Sequence, residues 1–176
     1  MVLMQPSPEL AIRAAGVADA ASLATMWQRS IRELCYEDHQ GRADVIETWC
    51  SQKTPAALAA ALVDPALYWL VAADRAGAVV GVGLLGSGGL IQAIYVDPSV
   101  VGHGLGSQLL LGLEREIRRR GRPRATLEST ATAYTFYRKH GFVDAGPPLN
   151  RFGGVASRPM RKDLEAAATS VSAGVP

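Results

Sequence analysis

The sequence predicts an α/β (α+β) chain with a mixed central sheet of about six or seven strands flanked by helices. Three observations carry that reading. Short runs rich in β-branched and aromatic residues are separated by stretches whose apolar residues recur at helical spacing. Three strand-like runs, 68–73, 79–85 and 90–96, follow one another across short turns, as an antiparallel meander does. A long helical stretch then separates 90–96 from the run 125–129, and a helical crossover makes the two strands it joins parallel neighbours. A chain of 176 residues is one domain by the usual prior and long enough for a substantial core. The expected domain spans 9–164, with a frayed leader at 1–8 and an alanine- and serine-rich, disordered tail from 165 to 176.

Ala11-Ile12-Arg13 reads as a short first strand. Asp19 is a good N-cap for a helix in which Leu23, Met26, Trp27, Ile31 and Leu34 make the apolar stripe. The segment from Cys35 to Trp49 is rich in polar and aromatic groups and reads as a solvated loop between two helices. Thr54-Pro55 opens the next helix, a cap followed by proline at the first helical position, and Asp64-Pro65 ends it. After the meander, Leu105, Leu109, Leu113 and Ile117 recur every four residues, the stripe of a helix with one buried face. Residues 131–140 form a further helix closed by Gly141, Phe142-Val143 begins a strand, and 157–164 is the last strand.

Composition excludes several classes of function. Nearly half the residues are apolar and 19% are charged, ordinary for a globular protein, and the net charge of +2 is too small to argue for nucleic acid. Cys35 and Cys50 form no Cys-x-x-Cys and no pairing with histidines at ligand spacing, so they read as reduced packing residues in a cytoplasmic protein; no metal is expected. No segment approaches 18 uncharged apolar residues, and the N-terminus has no signal-peptide pattern. The basic run Arg118 to Arg124 lies at a helix C-terminus, where arginines complement the dipole, and it lacks the interleaved aromatics of a nucleic-acid platform. Glu114 and Glu116 stand four residues before Arg118 and Arg120, as surface ion pairs require.

The most informative stretch is Leu90 to Gly121. A strand is stopped by Asp97-Pro98, a glycine-rich turn Gly102-His103-Gly104-Leu105-Gly106 follows, and a helix starts there. Unpaired N–H groups at a helix start and the positive end of its dipole make an anion site, and glycine admits a phosphate without a Cβ in the way. No Lys-Ser or Lys-Thr follows, which excludes the nucleotide triphosphate loop. The dinucleotide pattern does occur at Gly81-Val82-Gly83-Leu84-Leu85-Gly86. It leads into another strand rather than a helix, so it is a decoy.

The turn Val101-Gly102-His103-Gly104-Leu105-Gly106 resembles motif A of the GCN5-related N-acetyltransferases (GNAT), with Val101 in place of the usual basic or amide residue. Downstream, Ala133-Tyr134-Thr135-Phe136-Tyr137-Arg138-Lys139-His140-Gly141-Phe142 resembles the family's motif B, and the likeness extends from about Ile12 to Leu164. The resemblance implies acetyl transfer from acetyl-coenzyme A (acetyl-CoA) to a primary amine by direct attack, or alternatively a non-catalytic acyl-CoA-binding or sensing module. It also implies that strands 90–96 and 125–129 splay apart to admit the pantetheine arm, with backbone contacts from Ile94, Tyr95 and Val96. Residue matching gives the pyrophosphate to Val101, Gly102, His103, Gly104, Leu105, Gly106 and Ser107, with Thr130, Phe136 and Lys139 as further cofactor contacts. Thr130 stands where many relatives have asparagine.

Tyr137 matches the family's acid, which protonates the leaving thiolate. A backbone N–H near Ile94 is the natural oxyanion donor. Glu128, on the strand facing the splay, is either the general base or a solvent-facing strand residue. The first helix and the segment after it form a wall of the acceptor pocket in the family, which makes Glu33, Tyr36, Asp38 and His39 candidate substrate contacts; His39 alone reads more readily as a surface residue. Trp27 and Trp49 could give that pocket an apolar wall, although core packing is their commoner use. The expected acceptor is a small-molecule or peptide amine, with no nucleic acid and no membrane partner. Homodimers are common in the family.

Overall fold

The computed structural model describes residues 10–151 and 155–164, so the expected leader and tail lie outside the described residues. The elements run β1 (Ala11–Ala14), α1 (Ala20–Leu34), α2 (Tyr36–His39), α3 (Ala43–Cys50), α4 (Pro55–Leu62), β2 (Tyr68–Ala73), β3 (Val79–Leu85), β4 (Leu90–Val96), α5 (Leu105–Arg119), β5 (Arg124–Ser129), α6 (Ala131–Lys139), β6 (Val143–Asp144), β7 (Leu149–Arg151) and β8 (Val155–Asp163). Single helical turns precede α1, β4 and the glycine-rich loop. The eight strands form one sheet in the order β1-β2-β3-β4-β5-β8-β6, with β7 paired to β8. All pairings are antiparallel except that of β4 with β5. The count exceeds expectation because β7, too short to carry a hydrophobic pattern, folds back on β8.

Period-two alternation along the strands feeds two cores, one on each face of the sheet. From β2, Trp69 and Val71 pack with α1, α3 and α4, while Leu70 and Ala72 pack with α5 and α6. The α5 stripe is buried as its spacing predicts: Leu105 is 2% exposed, and Leu109, Leu113 and Ile117 are fully enclosed. Each such side chain contributes about 1.5–3 kcal/mol on burial.

The dinucleotide-like glycines of β3 acquire a packing role here. A Cβ on Gly81 would lie 2.9 Å from Leu105 Cδ2 and 3.1 Å from Leu109 Cδ1, and one on Gly83 would lie 3.2 Å from Leu113 Cδ1. Their bareness lets α5 seat directly on the sheet. Gly81→Val is therefore expected to cost about 2 kcal/mol by overpacking. Urea unfolding checks it, and an unchanged midpoint would mean that α5 can lift without penalty.

Three local expectations are corrected. Asp19 does not cap α1 with its side chain; its carboxylate accepts from Gly16 N–H (2.8 Å) and pairs with Arg13 (2.7 Å), tying β1 to the helix entry. The segment after α1 is not a loop but contains α2 and α3, because Val45, Trp49 and Cys50 fall on one helical face and bury against the first core. His39 is not on the surface. It is 2% exposed, with Nδ1 accepting from Gly41 N–H (3.0 Å) and Nε2–H donating to the Ile31 carbonyl (3.2 Å).

The arginines ending α5 are engaged locally. Arg118 lies 3.6 Å from Glu114, and Arg119 and Arg120 reach Glu116 at 2.6 and 2.7 Å. Hydrogen bonds from Arg119, then Arg120, hold the Glu116 carboxyl down at about 2. Glu114, 1% exposed, also bonds Lys162 at 2.7 Å and so pins α5 to β8.

Candidate active site

Two features of β4 create the site. Its register against β3 slips between Leu84 and Leu85, so that Leu84 faces Ala93, Leu85 faces Ile91, and Gln92 bulges without a partner in β3. Toward β5 it is paired only through Leu90 and Ile91. Beyond Ile91 the strands part, while β5 stays paired to β8 along its whole length. Alternate backbone N–H and C=O groups of β4 after Ile91 therefore face a gap instead of a strand partner. A cavity of about 170 Å³ occupies it, bounded by Gln92 to Val96 on one side and by Glu128 and Thr130 on the other, with Tyr137 beneath.

At the C-terminal end of β4, Asp97 fixes the corner. Its carboxylate accepts from Ser99 N–H (2.9 Å) and from Arg29 of α1 (3.2 Å), and its own N–H donates to the Val80 carbonyl (2.9 Å). The glycine turn then runs into α5 with Gly102 at φ +84° and Gly104 at φ +77°. Only glycine adopts such angles without strain. A Cβ at either position would meet nothing within 4 Å, so the space over the turn is open. The first bond of α5 runs from Gln108 N–H to the Gly104 carbonyl (3.1 Å), leaving the N–H groups of Leu105, Gly106 and Ser107 without helical partners. An open glycine cradle over three free donors fits a pyrophosphate.

The other residues matched to the donor are placed as follows. Val101 is 48% exposed, and His103 donates from Nδ1 to the Val101 carbonyl (3.1 Å). Leu105 is buried, so only its backbone is available to a ligand. The Phe136 ring lies over Gly106, and Lys139 is exposed at the end of α6. Ser107 Oγ lies 2.9 Å from His140 Nε2, and His140 Nδ1–H donates to the Phe136 carbonyl (2.8 Å), which ties the start of α5 to the end of α6. This contact between α5 and α6 escaped the sequence reading, because 33 residues separate the partners.

Tyr137 is 6% exposed and packs edge-on to Phe136 and Phe142. Its ring is core, yet its hydroxyl has no hydrogen-bond partner among the described residues, and burial alone pushes its pKa above that of a free phenol. Tyr95, facing the other core, is likewise pushed up by burial. Glu128 lines the cavity and accepts from Ser157 Oγ (3.1 Å). Thr130 caps α6 through Ala133 N–H. Thr132 also lines the cavity, and its buried Oγ1 has no partner among the described residues.

None of Glu33, Tyr36, Asp38 and His39 lines this cavity or the one that adjoins it. Glu33 pairs with Arg29 (2.9 Å), Tyr36 is exposed against His39, and both His39 nitrogens bond backbone. Asp38 accepts from the N–H groups of Ala131 (2.7 Å) and Thr132 (3.3 Å), capping α6 from outside. Asp38→Ala is expected to lower stability by about 1 kcal/mol, the usual cost of a lost cap, as read by urea unfolding. An unchanged midpoint would rule out the cap as a contribution to stability.

A mixed sheet with one parted parallel pair, ending on an anion-binding helix start, is a frame for gripping a phosphorylated thioester. The family model described as Acetyltransferase (GNAT) domain matches residues 33–164, and the chain belongs to that family of acetyl-CoA-dependent acetyltransferases. An IAA acetyltransferase of Azospirillum brasilense is 35% identical over 112 residues, covering 59% of this chain and 70% of that relative. The crystal structure of a GCN5-related N-acetyltransferase (Aminotransferase, Class-II) from Rhodopseudomonas palustris superposes with TM-score 0.78 at 28% identity, covering 93% of this chain and all of the other. The PaiA N-acetyltransferase of Thermoplasma acidophilum, solved in complex with coenzyme A, gives TM-score 0.73 at 19% identity over 89% of this chain and 99% of its own. Among the described residues no helix is long and apolar enough to cross a membrane, and no cluster of His, Cys, Asp or Glu could hold a metal.

Proposed function

We propose that residues 9–164 transfer the acetyl group of acetyl-CoA directly to a primary amine, with Tyr137 as acid and Glu128 as base. The observation that carries this reading is Tyr137, whose ring is buried while its hydroxyl, at the cavity between the parted strands, has no partner among the described residues. On this reading the backbone at 101–107 holds the pyrophosphate, and β4 backbone from Ile94 to Val96 holds the pantetheine. The Ile94 N–H polarises the thioester carbonyl. Tyr137 keeps its proton at neutral pH because burial disfavours the phenolate. The same desolvation raises the basicity of a departing thiolate, so the proton moves when the C–S bond breaks.

The nucleophile must be a neutral amine, and free alkylamines titrate near 10.4. Glu128 takes the proton released on attack, directly or through a water. Direct attack is favoured over an acyl-enzyme because Cys35, the cysteine lining the cavity, has its thiol pushed up to about 12, first by burial. Thiolate, not thiol, is the nucleophile. Cys35 and Cys50 are both unpaired, which suits a cytoplasmic setting.

The test is a thiol-release assay with a panel of amines, with product and protein both weighed by mass spectrometry. Amine-dependent release and an N-acetylated product are expected. An acetyl adduct on the protein after incubation with acetyl-CoA alone would overturn direct attack.

A further inference from the structure

A second cavity, of about 350 Å³, adjoins the first and shares Gln92, Ala93, Tyr95, Glu128 and Thr130 with it. Its far wall carries Trp27, Trp49 and Lys53. Lys53 is an unusual wall residue. Its backbone is held at both ends, N–H to the Cys50 carbonyl (2.8 Å) and C=O to Gln28 Nε2 (2.9 Å). Its ammonium sits 5.2 Å from the Trp27 ring centroid and forms no ion pair among the described residues. Burial is the main influence on it, pulling its pKa below the usual lysine value. A half-buried cation in a cavity, with an aromatic face but no counter-charge, lacks the partner that would offset its desolvation. Trp27, 5% exposed, gives that wall its aromatic face. A cation that needs an anion thus borders a cavity whose other side carries the Glu128 carboxylate.

We infer that the acceptor is an amino carboxylate, a small molecule bearing both the attacking amine and a carboxylate, and that Lys53 determines this specificity by binding the carboxylate. The inference rests on the proposed transfer to an amine. With its carboxylate on Lys53, such an acceptor lies over the tryptophans and brings its amine to Glu128 at the mouth of the first cavity. The attacking nitrogen forms the amide bond, the C–S bond breaks, and the amine proton leaves to Glu128. Lys53 touches none of the reacting atoms.

The test compares matched acceptors, phenylalanine with phenethylamine and leucine with isoamylamine, on the wild type and on Lys53→Met, which keeps the stem against Trp27. The wild type is expected to favour the amino acid in kcat/KM by at least about tenfold, the worth of one charge-assisted contact. Lys53→Met is expected to narrow that preference to about twofold, and Lys53→Arg to restore part of it. Titration of N-acetylphenylalanine into the protein with coenzyme A present supplies a readout free of catalysis: binding is expected in the wild type and not in Lys53→Met. Lys53-dependent binding without turnover of any amine would sink the amine-transfer reading and leave the carboxylate site standing. No preference in the wild type, or equal loss on both acceptors in Lys53→Met, would overturn the inference.

Discussion

Tyr137→Phe is expected to lower kcat by about a hundredfold or more while leaving the acetyl-CoA dissociation constant within twofold, since a positioned acid contributes on the order of 10²–10⁴. The substitution removes one oxygen and leaves the ring between Phe136 and Phe142, so the fold has no cavity to collapse into. Because the hydroxyl has no hydrogen-bond partner among the described residues, its removal orphans no buried group, and stability should hold or rise slightly. Steady-state kinetics, isothermal titration and a melting curve together decide it. A variant with normal kcat would assign the proton to another donor, and one with weakened acetyl-CoA binding would make Tyr137 a positioning residue.

Gly104→Val should weaken acetyl-CoA binding, with at least about a tenfold rise in the dissociation constant, or about 1.4 kcal/mol. The valine forces a β-branched residue to φ +77° and puts its methyl groups into the open space above the turn. Strain of this kind costs about 1–3 kcal/mol of stability by itself. A control must carry the same strain elsewhere. Gly77, at φ +84° in the turn before β3 and equally free of neighbours, supplies it. Gly77→Val should match Gly104→Val in urea unfolding yet bind acetyl-CoA normally. Equal binding by both variants would remove the glycine turn from the site.

The sequence was most legible where one residue type answers one local demand. Leucines every four residues could only be a helix with one buried face, and glycines at a helix start could only be a tight turn with free donors. Those two facts, with the strand before them, already located the glycine turn at the start of α5 and the crossover that makes β4 and β5 parallel. The Thr54-Pro55 entry to α4 is equally local, and the Thr54 side chain accepts from Ala57 N–H as expected (3.2 Å).

Tertiary structure decided whatever depends on partners far apart in the chain. Asp38 reads in sequence as a candidate substrate contact, and its work as a cap on α6 appears only when residues 93 positions apart meet. His39 reads as polar and therefore exposed, yet two backbone partners satisfy its ring and let it be buried. The glycines of β3 spell a nucleotide motif, but the leucines of α5 that occupy their missing side chains show them to be packing surface. Lys53 carries no motif at all. Its meaning comes from burial beside Trp27 in a shared cavity, because the free energy of a charge is set by its surroundings rather than by its neighbours in sequence.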